Sequence, residues 1–125
     1  MCEFVNFEIA KKLKEKGFDW ETSNVYEKNI LACRYEDYPK PTISQVLKWL
    51  REEKSIYVEP CILADSDTDA DGKVINKYSY WSFSIVSIET GDMIYFEYEH
   101  IDDKRFETYE QAALAGIEYV LNNLI

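Results

Sequence analysis

The stretch from Tyr78 to Tyr98 constrains the fold more than any other part of the chain. It reads Tyr-Ser-Tyr-Trp-Ser-Phe-Ser-Ile-Val-Ser-Ile, then Glu-Thr-Gly-Asp, then Met-Ile-Tyr-Phe-Glu-Tyr. Two runs rich in aromatic and β-branched residues flank a short turn containing Gly91, which predicts a β-hairpin. Trp81, Phe83 and Ile85 alternate with Tyr80, Ser82 and Ser84. In the second run Ile94, Phe96 and Tyr98 alternate with Tyr95, Glu97 and Glu99. A period of two with one apolar face describes a half-buried antiparallel sheet, and another layer has to cover that face.

Three amphipathic segments can supply the cover. Over 4–16, Val5, Ile9 and Leu13 recur every four residues, with Phe4 and Ala10 beside them. Gly17 then offers a left-handed stop, and Phe18 can fold back on the last turn. Thr42-Ile43-Ser44-Gln45 fits a capping box and opens a helix with a Val46, Leu47 and Leu50 stripe, Ile43 and Trp49 at its edges. A strand follows, with Ile56, Val58 and Ile62 on one face and Tyr57, Glu59 and Cys61 on the other. Pro60 suits an edge strand or bulge. Thr108-Tyr109-Glu110-Gln111 reads as a second capping box. The helix it opens buries Ala113, Ile117, Val120, Leu121 and Leu124, and Ala112, Ala113, Ala115 and Gly116 keep it thin enough to lie close on a sheet. Residues 19–41 are the least informative; Pro39 and Pro41 break regular structure there. With 125 residues there is room for one core, so 1–125 is expected to be a single α+β domain. The expected architecture is two layers: a three- or four-stranded antiparallel meander covered on one face by about three helices.

Charge is unevenly spread over the chain. Residues 1–64 hold 10 basic and 11 acidic residues, whereas residues 65–125 hold 4 basic and 13 acidic, within a total net charge of −10. Such a surface repels a phosphate backbone and attracts basic partners, and it also serves solubility. The three cysteines Cys2, Cys33 and Cys61 are odd in number and widely spaced, which suits reduced thiols. No apolar run approaches the ~20 residues of a membrane span, and the N-terminus lacks the pattern of a secretory leader. A cytoplasmic protein is the expectation.

Asp67, Asp69, Asp71 and Gly72 match the first half of a calcium loop, in which alternate carboxylates converge on one hard cation. The second half fails, because Tyr78 stands where a bidentate glutamate belongs. The alternative is an acidic loop over 64–77 whose Asp71-Gly72 makes a turn. The helix with Lys48, Arg51 and Lys54, followed by a hairpin, has the order of a winged helix. Glu52, Glu53 and the aspartates of the would-be wing oppose DNA binding. Catalysis has little to stand on: His100 is the lone histidine, no motif places a cysteine beside it, and Glu97 and Glu99 fit a solvated sheet face as well as a carboxylate pair. Tyr57, Tyr78, Tyr80 and Tyr95 are expected to share the outer sheet face.

Three stretches carry a resemblance: Phe7-Glu8-Ile9-Ala10-Lys11-Lys12-Leu13-Lys14-Glu15-Lys16-Gly17-Phe18, the run Pro41 to Lys54, and Thr108 to Leu121. Together they resemble small uncharacterised proteins of Bacteroides-type gut bacteria and their phages or mobile elements. The resemblance implies a cytoplasmic, element-encoded protein and carries over no activity and no functional residue. The functional expectation is therefore a non-enzymatic accessory protein that needs no cofactor. It binds another macromolecule, with a basic protein surface favoured over nucleic acid or membrane, through Tyr80, Tyr95, Asp102, Asp103, Glu107 and Glu110. A calcium site at Asp67, Asp69 and Asp71, a winged-helix DNA binder and self-association through a sheet edge are the alternatives.

Overall fold

A computed structural model describes residues 4–22, 25–26, 38–96 and 106–125. Its elements, in order, are α1 (Phe7–Glu15), β1 (Val25–Tyr26), β2 (Tyr38–Pro39), α2 (Ile43–Glu53), β3 (Ile56–Thr68), β4 (Val74–Ser87), β5 (Met93–Phe96) and α3 (Tyr109–Asn123). β3, β4 and β5 form an antiparallel meander, and β1 and β2 pair as a separate ribbon. Phe106 extends the β5 edge by exchanging two backbone hydrogen bonds with Trp81, at 2.8 and 3.1 Å. The helices pack on one face of the sheet, giving the two-layer α+β domain expected from the sequence.

Each helix ends where its sequence dictates. The Asn6 side chain accepts the Ile9 N–H at 2.9 Å and starts α1. At its other end Gly17, with φ +89°, allows Phe18 N–H to reach the Leu13 carbonyl at 2.9 Å. That is a Schellman stop, and it sends the Phe18 ring into the core edge-on to Trp49, 5.3 Å between centroids. The capping box at Thr42 forms in full: Thr42 Oγ1 accepts Gln45 N–H, and Gln45 Oε1 accepts Thr42 N–H. At α3 only half of the expected box forms. Thr108 Oγ1 accepts Gln111 N–H, but the Gln111 side chain reaches back one residue further, to Glu107 N–H at 2.9 Å.

The core joins Val5, Ile9, Leu13 and Phe18 to the α2 stripe, to Val58, Phe83 and Ile85 of the sheet, and to Ile117, Val120 and Leu121 of α3. Trp49, placed at the edge of its stripe by the helical wheel, is 2 % exposed and belongs to the core. α3 lies on β3 and β4 across Gly116. A Cβ built there would stand 2.5 Å from Val58 Cγ1 and 3.1 Å from Phe83 Cδ2. Val58 is β-branched and cannot swing away easily.

β5 departs from the expected facing. Met93 pairs with Val86 and Tyr95 with Ile85, so Ile94 is an extra residue in a bulge. Tyr95 thereby shares the helix-covered face with Ile85 and Phe83, and Ile94 is exposed. The expectation that Ile94 faces the core, with Tyr95 outside, is inverted. A second departure concerns 64–77, expected as a loop. β3 and β4 remain paired out to Thr68 and Val74, leaving only Asp69–Lys73 as the turn. Tyr98 and the turn Asp102–Arg105 lie outside the described residues.

Gly116→Ala should therefore lower stability in urea unfolding, by about 1–2 kcal/mol once the gain in helix propensity is set against overpacking. Combined with Val58→Ala, its cost should shrink, because the second change removes the obstructing methyl groups. A stabilising Gly116→Ala would contradict the close contact.

Candidate functional site

Beyond the helical layer, β3 and β4 project as a two-stranded arm. Ile62 is 59 % exposed and Ile75 64 %, and all residues described from Ala64 to Lys77 are exposed. The arm is closed by Asp69. Its Oδ1 accepts the N–H groups of Asp71 (2.9 Å) and Lys73 (3.0 Å), while its backbone N–H bonds Lys73 O and its carbonyl accepts Gly72 N–H. Gly72, at φ +81°, supplies the left-handed turn residue. The Asp69 carboxylate thus serves the turn, an Asx arrangement. Asp67 stands opposite Asn76 in the ladder, and Asp71 is exposed in the turn. Among the described residues no group of three or more His, Cys, Asp or Glu is arranged to hold a metal ion.

The arm and its root carry tyrosines on the face away from the helices. Tyr57, Tyr78 and Tyr80 alternate with Val58, Ser79 and Trp81 and so share that face. The Tyr78 and Tyr80 rings lie 6.5 Å apart. Tyr95, expected with them, lies on the opposite face, stacked on Phe83 (5.7 Å) and on Tyr119 of α3 (4.1 Å). The outer face is not uniformly wet either: Ser82 and Ser84 are buried on it.

At the root of the arm, Tyr80 and Glu107 border one cleft. It measures about 260 Å³, and Ile62, Ser79, Trp81 and Phe106 line it with them. Trp81 is held by an edge contact with Tyr109, 5.6 Å between centroids. Two expected contact residues, one aromatic and one carboxylate, thus line one cleft with an exposed isoleucine. Glu110 follows one turn on and is half-buried. Asp102 and Asp103 lie outside the described residues, as do Glu97, Glu99, His100, Cys2 and Cys33.

A second concavity was not legible in the sequence. Between α3 and the β5 edge, Phe83, Tyr95, Phe106 and Tyr119 wall a groove of about 410 Å³, rimmed by Glu118, Asn122 and Asn123. Glu118 stands 3.9 Å from Lys12 of α1. The available signal was Tyr119 at helical spacing from Ala115 and Asn122, with Tyr95 turned inward by the bulge.

Cys61 lies on the tyrosine face opposite Ser82. Partial burial, then the neighbouring Glu59 carboxylate, push its thiol above the ordinary range. Lys48 and Arg51 of α2 and its C-cap Lys54 are all exposed, interleaved with exposed Glu52 and Glu53; the Lys54 ammonium lies 5.4 Å from the Trp49 ring. Among the described residues no helix is long and apolar enough to cross a membrane. Comparison with protein-family models, with curated proteins and with solved structures finds no match.

Two measurements follow from this geometry. Asp69→Ala should cost about 1 kcal/mol in urea unfolding and speed exchange of the Asp71 and Lys73 amides, whereas Asp69→Asn keeps an acceptor oxygen and most of the stability. For Cys61, a raised thiol pKa leaves less thiolate at any given pH. Its alkylation-rate profile, followed by peptide mass spectrometry, should lie on the alkaline side of an unfolded control, and Glu59→Gln should move it part of the way back.

Proposed function

We propose that this protein is a non-enzymatic accessory protein that binds a basic macromolecule, a protein surface, through the β-arm and its root. The observation that carries this reading is the cleft that Tyr80 and Glu107 line together with Trp81 and exposed Ile62. Tyrosine and tryptophan give contact area at low entropic cost, and a carboxylate beside them selects for a cation. The arm above adds Asp65, Asp67, Asp69 and Asp71 against Lys73 and Lys77. Asp102 and Asp103 add further negative charge close in sequence to Glu107. Charge of this kind steers a basic partner into encounter, and the apolar cleft supplies contact that outlasts it. A two-stranded ribbon is marginal in water by itself, so a partner that covers Ile62 and Ile75 stabilises the arm as it binds.

Tyr95 has no part in this surface, because it lies under α3. The resemblance to element-encoded proteins of Bacteroides-type bacteria makes a cytoplasmic setting and a host partner part of the same proposal.

The test is capture of a partner from lysate of such cells by the tagged protein, at low and high salt, beside a variant with Asp102, Asp103, Glu107 and Glu110 changed to Asn or Gln. The expected result is a partner held in low salt, largely lost by about 0.5 M salt and not captured by the neutralised variant. Capture that is indifferent both to salt and to neutralisation would overturn the reading.

A further inference from the structure

We propose that the aromatic groove beside α3 is a receptor for an arginine side chain of a partner protein. The groove adjoins the cleft at the arm's root, with Phe106 lining both, and the proposal rests on the basic-partner reading only for the source of the arginine. Its walls are rings: Phe83, Tyr95 and Tyr119 form a continuous stack, and Phe106 stands 6.1 Å from Phe83. Tyr95 stacks on both Phe83 and Tyr119, and Tyr119 and Phe106 line the groove with it. A planar guanidinium stacks on such rings and is drawn to their negative faces.

The rim supplies what the nitrogen fork needs. Glu118 brings a carboxylate, and Asn122 and Asn123 bring amide oxygens. The Asn123 amide is oriented by its own donation to the Tyr119 carbonyl at 3.0 Å, which leaves its oxygen as the atom not used in that bond. A carboxylate and amide oxygens beside aromatic walls suit a cation with several donors and no acceptor, which is the description of arginine. A hydrophobic side chain would leave Glu118 without gain, and an anion would be repelled by it and by the net charge of −10. Glu118 is not already committed to a strong pair. Its contact with Lys12 is long, at 3.9 Å, and both side chains are partly solvated, so an entering guanidinium can displace it. The volume, about 410 Å³, accommodates a side chain of this size without unfolding α3.

The experiment is an amide NMR titration of the full chain with N-acetylarginine amide, run beside the isosteric but neutral N-acetylcitrulline amide. The expected result is a saturable shift centred on Tyr95 and on Ala115 to Asn123, with a midpoint of roughly millimolar order, as one isolated side chain can give. Citrulline should bind about fivefold more weakly or worse, and so should arginine to Glu118→Gln, whose substitution at a half-exposed position leaves the melting temperature unchanged. Equal binding of citrulline, an unaffected Glu118→Gln, or no saturable shift by about 50 mM ligand would each overturn the proposal. Because the probe is a small molecule, its failure leaves the capture experiment on the arm's root untouched. Failure of that capture with arginine still bound here sinks only the other reading.

Discussion

The contact of α3 with the sheet at Gly116 is the constraint on which the rest of the domain depends. A helix that approaches until only a hydrogen fits between it and Val58 has no room for a side chain there, and Ala112 and Ala113 keep the same strip thin. The closeness brings Ile117, Val120 and Leu121 onto Val58, Phe83 and Ile85 with full burial on both sides. Dispersion and apolar burial both scale with that intimacy. α1 and α2 then complete the layer rather than define it: they add Leu13, Phe18, Trp49 and Leu50 to a core already seated by α3. The same placement leaves the far side of α3 over the β5 edge, where the rings of Tyr95 and Tyr119 meet and the aromatic groove opens.

The helices cover only the first half of the β3–β4 ladder. Past Ile62 the two strands continue with hydrogen bonds but without a packed face, which is how the domain comes to display an arm. Its tip needs no metal or partner to close, since the Asp69 carboxylate and Gly72 make the turn with local bonds. Charge at the tip, apolar side chains along the shaft and a tyrosine–carboxylate cleft at the root are three different properties in one projecting element.

Much of this was legible in the sequence, for physical reasons that differ by element. Helix ends are decided by local chemistry, so Gly17, Thr42 and Thr108 announced themselves; Asn6 did not, because the apolar spacing around Val5 pointed to an earlier start. The thin strip on α3 was legible because Ala112, Ala113, Ala115 and Gly116 leave the helix without bulky side chains there, which lets it lie close on a sheet. The faces of β5 were misread because alternation gives parity and not direction, and a single bulge at Ile94 sets which parity meets the helices. The arm was read as a loop because Asp and Gly in series signal a turn, yet a ladder can run through aspartates when both strand partners are exposed. The groove was invisible for a related reason: its four rings come from β4, β5, Phe106 and α3, and no single stretch shows them together.

The central claim is that one hairpin has two regimes, a half locked under α3 and a half standing free as an arm. Amide hydrogen exchange of the isolated protein separates them directly. The expected result is slowest exchange at Ser82 to Ile85 and at Ala113 to Leu121, near the limit of global unfolding, with hydrogen-bonded arm amides such as Asp65 and Tyr78 exchanging at least about a hundredfold faster through local opening. Arm amides as protected as those of Phe83 and Ile117 would contradict the account, because that protection requires a packed face which the structure does not give the arm.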